Sequence, residues 1–159
     1  MAKQVLVTVG TTSFDELIAA VDTDIVQHEL QKLGYTHICY QTGRSLYKVK
    51  SAILKTSVLQ FDHDFDKLIN QSELIISHMG AGTVIDVFNA KKKAIFIPNH
   101  NVAGNHQMEL YNVMDECYKA RLDNLISKIK HATETTGPFF HLLLPPTRLK
   151  EAIENTLSQ

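Results

Sequence analysis

Cysteine is scarce in this 159-residue chain, with Cys39 and Cys117 the only two. No Cys-x-x-Cys is present, which leaves no thiolate cluster to organise a small fold or hold a metal. A single bridge between the two stays open as an alternative, but their apolar flanks favour buried thiols of a reducing compartment. Eight histidines are present, yet none is paired at H-E-x-x-H or zinc-finger spacing, so no metal site is expected. No apolar run approaches the roughly 18 residues of a membrane helix, so no direct membrane span is expected. Met1-Ala2-Lys3-Gln4-Val5-Leu6-Val7 lacks the long apolar region and cleavage site of a signal peptide. An excess of either charge is missing too, with 16 basic and 17 acidic residues. The net charge is −1, with no basic half or stripe, which removes the usual footprint of nucleic-acid binding. Repeats, low-complexity tracts and linkers are absent.

What is present suits one soluble globular domain over residues 1–159, since a domain runs to about 150 residues. Apolar residues make up 44% and charged residues 21%. Short β-rich runs alternate with helical periodicity, the pattern of an α/β fold with a mostly parallel sheet, here a single Rossmann-like domain. Strands are expected at 4–9, 36–41, 57–61, 74–77 and 94–97, with a possible last strand from Phe139 to Leu144. Phe14, Leu17, Ile18 and Val21 begin a helical stripe. Val26, Leu30 and Leu33 continue it after a break at Asp22-Thr23-Asp24, and Gly34 stops it. Val84, Ile85, Val87 and Phe88 line another helix. Leu110, Val113, Met114 and Cys117 mark one long helix, and Leu122, Leu125, Ile126 and Ile129 repeat the spacing. Pro145-Pro146 opens a terminal helix at about 147–157, with Leu149, Ile153 and Leu157 on one stripe.

Ligands of open parallel sheets sit beyond the carboxyl ends of the strands, so the residues just after each strand carry the functional information. Three clusters stand there: Gly10-Thr11-Thr12-Ser13, Ser77 to Thr83, and Asn99 to Gln107. Ser77-His78-Met79-Gly80-Ala81-Gly82-Thr83 follows a strand and opens a helix. Its glycines allow close backbone approach, and a helix start offers free N–H groups with roughly half a positive charge. That suits a pyrophosphate, although a tight turn explains a bare Gly-x-Gly equally well. Ile85 stands where the dinucleotide fingerprint needs its third glycine, and no Gly-Lys-Ser/Thr of a Walker loop exists. Asp86, one turn beyond Gly82, points away from the apolar stripe and is either a solvated dipole partner or a ligand-binding carboxylate. Thr12 or Ser13 can cap the first helix while Gly10, Thr11 and Thr12 line the cleft. Arg44 is open between a phosphate contact, a partner contact and a solvated loop residue. Lys91-Lys92-Lys93 fits a solvated helix end, and His63-Asp64-Phe65-Asp66 an acidic helix start. His28, His37, His131 and His141 read as structural.

The full string His78-x-Gly80-x-x-Thr83-x-x-Asp86 resembles the nucleotide-sugar motif H-x-G-x-x-S/T-x-x-E/D of GT-B glycosyltransferases. Val7-Thr8-Val9-Gly10-Thr11-Thr12, Gln41-x-Gly43-Arg44 and Asn105-His106-Gln107-x-Glu109 occur with it in the family's order. Together they resemble glycosyltransferase family 28, and within it the split UDP-N-acetylglucosamine transferases. The similarity spans the chain and is weakest at 42–60 and 119–145. Met79 departs from the small residue usual in the motif, and Asp86 from the commoner Glu.

The resemblance implies the donor-binding half of a two-domain enzyme. Ser77, His78, Gly80, Ala81, Gly82 and Thr83, with Gly10, Thr11 and Thr12, would face the donor pyrophosphate. Asp86 would accept the ribose hydroxyls, and Asn105, His106 and Gln107 would contact the donor sugar. Gln107 leads the Leu110/Met114 stripe toward the sheet edge. The implied activity moves GlcNAc from UDP-GlcNAc to a lipid-pyrophosphate-GlcNAc acceptor, with inversion, without metal or other cofactor, as the second step of lipid-linked oligosaccharide assembly. The implied partner is a membrane-anchored acceptor-binding subunit, which places the chain in the cytoplasm at the cytosolic face of the endoplasmic reticulum. The general base is left open between His106, Glu109 and the partner. Half of a split bacterial exopolysaccharide transferase and a non-catalytic UDP-sugar-binding subunit remain as alternatives.

Overall fold

The computed structural model describes residues 1–102, 104, 106–135 and 147–158. Five strands form one parallel sheet: β1 (Gln4–Thr8), β2 (His37–Gln41), β3 (Lys55–Leu59), β4 (Leu74–His78) and β5 (Lys93–Ile97). Their spatial order is β3-β2-β1-β4-β5. The chain runs outward from β1 to β3, returns to β4 on β1's other side, and continues to β5. The order therefore reverses between β1 and β4, and the carboxyl ends of those two strands flank a crevice.

Both faces of the sheet are covered, as parallel sheets require. Val5, Val7, Ile38, Tyr40, Leu74, Ile76 and Ile95 pack on one side. They meet α1 (Asp15–Val21), α2 (Asp24–Lys32) and α6 (Leu125–Glu134). Leu6, Cys39, Ile75, Ala94 and Phe96, the alternate residues, face the other way. There they meet α3 (Phe65–Asn70), α4 (Ala81–Asn89), α5 (His106–Val113) and α7 (Thr147–Leu157). The break at Asp22-Thr23-Asp24 is real: Thr23 caps α2, its hydroxyl accepting from Val26 N at 3.4 Å. Asp64 caps α3 in the same way, through Lys67 N at 3.1 Å.

The structure corrects three sequence expectations. The third strand runs 55–59 rather than 57–61. Register with β2 pairs His37 with Lys55 and Gln41 with Leu59, and this half-exposed edge strand begins with polar residues that carry no apolar signal. The helix expected to reach Cys117 ends at Val113. The Asp115 carboxylate accepts from Cys117 N at 3.0 Å and turns the backbone there. Residues 118–120 then lie beside β5, with Phe96 N donating to Tyr118 O at 2.7 Å and Ala120 N to Phe96 O at 2.9 Å. Neither Thr12 nor Ser13 caps α1, whose N-cap is Phe14 with no side-chain bond. The Thr12 hydroxyl donates instead to Val9 O at 2.9 Å.

The expected strand at 139–144 and Pro145-Pro146 lie outside the described residues. On α7 Ile153 is buried and Leu157 exposed, and the Leu149 side chain lies outside the description. Cys39 and Cys117 are free thiols, and burial raises the pKa of both, that of Cys117 to about 12.

Candidate functional site

A cleft of about 380 Å³ opens over the switch point. Gly10 and Thr11 line it from the end of β1, Gln41 from β2, Phe61 and Asp62 from the turn between β3 and α3, and Phe65 from the start of α3. His78, Gly80, Gly82, Thr83 and Asp86 line it from β4 and α4. The string expected at the centre of the site is thus brought to the crevice that the topology creates.

Helix α4 starts there without a side-chain cap. Gly80 is its N-cap in extended conformation, and the first bond the helix closes is Val84 N to Gly80 O at 2.9 Å. The amides of Ala81, Gly82 and Thr83 therefore have no carbonyl within the helix, and they mark its positive end. Nothing lies within 4 Å of the position a Gly82 side chain would take, so the protein leaves that space open.

His78 shapes the floor. It is 5% exposed, and burial pushes its imidazole down to about 4, with a hydrogen bond to the Thr8 backbone acting weakly the other way. The ring is therefore neutral at physiological pH and acts through hydrogen bonding and packing, not charge. A side chain at Gly80 would overlap the ring, and one at Gly10 would come within 2.7 Å of its Cε1. These glycines thus serve the histidine as well as any ligand. Gly43, with φ +55, brings the turn after β2 against the β1 loop, where any Cβ would meet the Thr12 and Gly10 carbonyls. Arg44 braces the same loop: its amide donates to Thr12 O at 2.9 Å and its Nε to Thr11 O at 3.0 Å.

Asp86 is exposed on the second turn of α4. Partial burial first, then the Asp66 carboxylate, raises its pKa above the usual aspartate value. Both carboxylates line the polar groove that continues from the cleft between α3 and α4.

Other expected residues lie elsewhere. Ser77 is fully buried, its hydroxyl donating to His78 O at 2.8 Å, and Ala81 packs in the core. Gln107 is buried at the start of α5. Its Oε1 accepts from Met79 N at 3.2 Å and Asn99 N at 2.9 Å, tying the ends of β4 and β5 together. His106 and Glu109 stand with Nδ1 and Oε2 3.9 Å apart on α5, and neither lines the cleft. Asn105 lies outside the described residues. Among the described residues no group of three or more His, Cys, Asp or Glu is placed to hold a metal ion.

Phe61, Asp62 and Phe65 were not read from the sequence as site residues. Phe61 is a large apolar side chain left 49% exposed just past a strand end, a position where a ligand surface is expected. Arranged around the crevice are an uncapped helix start, a carboxylate one turn further along, and two phenylalanines beyond the end of β3. Such a set can hold a phosphate, a polyol and a flat ring together.

The family model of the glycosyltransferase family 28 C-terminal domain matches residues 4–135. A mouse (Mus musculus) protein named UDP-N-acetylglucosamine transferase subunit ALG13 is 37% identical over 111 residues. The match covers 68% of this chain and 10% of the mouse protein. The subunit of the same name from Kluyveromyces lactis is 32% identical over 141 residues, covering 67% of this chain and 72% of that one. This chain thus spans only 10% of the mammalian relatives it matches. Among solved structures, an NMR structure of ALG13 superposes with a TM-score of 0.67 at 20% identity, covering 96% of both chains. Acinetobacter baumannii MurG superposes at 0.57 and 20% identity, covering 99% of this chain and 49% of that one.

Proposed function

The chain belongs to the C-terminal domain family of glycosyltransferase family 28, and on that premise we propose that it is the donor-binding subunit of a split UDP-N-acetylglucosamine transferase. One observation carries the reading: the uncapped start of α4, Asp86 and the Phe61/Phe65 pair line a single cleft at the switch point. In this reading the pyrophosphate sits on the amides of residues 81–83. The ribose hydroxyls donate to the Asp86 carboxylate, and the base lies toward the phenylalanines. The names of the relatives support UDP-GlcNAc as the donor and a subunit as the form.

The chemistry is an inverting displacement. The acceptor hydroxyl attacks the anomeric carbon of GlcNAc, the bond to UDP breaks, and its electron pair leaves on the β-phosphate oxygen. The α4 amides, preorganised and oriented, stabilise that charge, a task a metal performs in other enzymes. The proton of the attacking hydroxyl goes to a general base. Neither His106 nor Glu109 lines the cleft, so we place the base on the partner. The acceptor is a dolichyl-pyrophosphate-linked GlcNAc, and the activity that of an N-acetylglucosaminyldiphosphodolichol N-acetylglucosaminyltransferase. A membrane-anchored chain at the cytosolic face of the endoplasmic reticulum presents the acceptor. Among the described residues no helix is long and apolar enough to cross a membrane.

Calorimetry with UDP, UDP-GlcNAc and UDP-glucuronate, followed by turnover on a lipid-linked acceptor with and without the membrane partner, tests the proposal. The expected result is preference for UDP-GlcNAc and turnover only with the partner. Binding without turnover in the reconstituted pair would leave a UDP-sugar-binding subunit, preference for UDP-glucuronate would favour a polysaccharide transferase, and full turnover by the chain alone would overturn the split.

A further inference from the structure

One buried polar atom of the cleft has no function in the donor-site reading. Gln41 closes β2, is 6% exposed, and its Oε1 has no hydrogen-bond partner. Buried polar atoms are nearly always paired, so an orphan asks for an explanation. Among the described residues Gln27, Ser51 and His106 also carry such an atom, but none of those residues lines the cleft. Gln41 does.

Its position narrows what it can meet. The strand ladder sets Gln41 beside Thr8 on one side and Leu59 on the other. Gly10 follows the first of these, and Phe61 the second. Gln41 thus stands between the phosphate-facing loop and the aromatic end of the cleft. A carbonyl oxygen needs an N–H or O–H donor. The ionised phosphates of a nucleoside diphosphate offer none, whereas its base and ribose offer both. The terminal torsion of a glutamine is broad and roughly two-fold, so the amide can turn toward a ligand with the backbone fixed.

We infer that Gln41 binds the base of the donor, its side-chain carbonyl accepting the imide N–H, since the ribose hydrogens are already given to Asp86. This rests on the nucleotide-site reading above. It also explains why the strand end keeps an amide where an apolar residue of the same shape would fold as well or better.

The test uses the full chain and its Gln41→Met variant, which keeps the shape and removes the polar atoms. UDP affinity is measured by calorimetry and stability by urea unfolding. The expected result is UDP affinity weakened by about three- to ten-fold, the worth of one neutral hydrogen bond, with an unfolding midpoint unchanged or raised. N3-methyl-UDP, which lacks the imide hydrogen, binds wild type and variant alike, whereas 2′-deoxy-UDP keeps the full variant penalty. Equal UDP affinity in the two proteins, or a variant penalty undiminished on N3-methyl-UDP, overturns the inference. If Gln41→Met does not fold, Gln41→Leu takes its place with the same ligands and the same readings. A wild-type chain that binds no UDP overturns the nucleotide reading and this inference together, whereas UDP binding indifferent to Gln41 overturns this inference alone.

Discussion

Two loops leave the carboxyl edge of the sheet side by side, one after β4 and one after β5, and they treat their polar groups in opposite ways. After β5 most described polar groups are consumed, with His106 Nδ1 the exception. Asn99 Nδ2 donates to Ser13 O at 2.9 Å, Asn101 N to Asn99 Oδ1 at 3.0 Å, and Gln107 takes two backbone amides from two strand ends. After β4 the helix begins uncapped, Gly82 faces open space, and the nearby Gln41 carbonyl is unpaired. The loop after β5 is a clamp and the loop after β4 a receptor. Satisfied groups hold structure, and unsatisfied ones are available to a ligand.

Gly82→Val puts a branched side chain into the space a phosphate needs, where its Cβ has no packing neighbour within 4 Å. It abolishes UDP binding, more than about 1,000-fold by calorimetry, or roughly 4 kcal/mol, while the thermal midpoint stays put. A variant that still binds UDP would show that the α4 start is not the receptor.

Gln107→Leu attacks the clamp instead. Two buried amides lose their acceptor, at a cost of about 1–3 kcal/mol each before relaxation, measured by urea unfolding. Gln107→Glu, which keeps an accepting oxygen, recovers most of it. If Gln107→Leu reduces UDP-sugar affinity with stability intact, Gln107 belongs to the receptor and the contrast between the loops fails.

Asp86→Ala removes the charged acceptor for ribose and weakens UDP by about 10–150-fold, the equivalent of roughly 1.5–3 kcal/mol. Stability is nearly unchanged because the carboxylate is exposed. Unchanged affinity in a folded variant would sink the ribose assignment.

Acid tests the floor of the receptor. Below pH 6.5 the unfolded chain protonates His78, whereas the folded chain does so only near pH 4. The unfolded state therefore holds more protons in that window, and stability falls as pH falls through it. At pH 5 the loss from this residue is about 2 kcal/mol. Comparing the pH slope of unfolding in wild type and His78→Gln isolates it, and parallel slopes would contradict a buried neutral ring.

The buried elements were legible because their signals are local. β1, β4 and β5 are short apolar runs, and the breaks at Thr23 and Gly34 are written in cap and stop residues. The edge strand β3 was misplaced by two residues because its first half is polar and its place is set by pairing with β2. The end of α5 was missed because the Asp115 turn leaves no mark on apolar spacing. The site divides in the same way. Residues 78–86 announce themselves as one contiguous string. Gln41 stands in the local motif Gln41-x-Gly43-Arg44, but nothing there marks it as a lining residue, and Phe61 and Phe65 reach the cleft only through the strand ladder, which no local pattern contains. Ser77 and Thr12 were over-read: sharing a string with lining residues did not give them a place in the lining.

The position of β1 between β2 and β4 also has a consequence in time. Val5 pairs with Leu74, so the central ladder closes only after a long stretch of chain has been made. Such closures are entropically expensive and slow relative to local contacts. During synthesis β1, β2 and β3 can assemble early as a three-stranded sheet with one open central edge, an adhesive surface until β4 arrives. The cleft at the switch point takes its walls from both sides of that edge, so no nascent fragment that ends before α4 contains it. UDP added to a translating or refolding chain would therefore report completion of the central ladder, not the appearance of any single element.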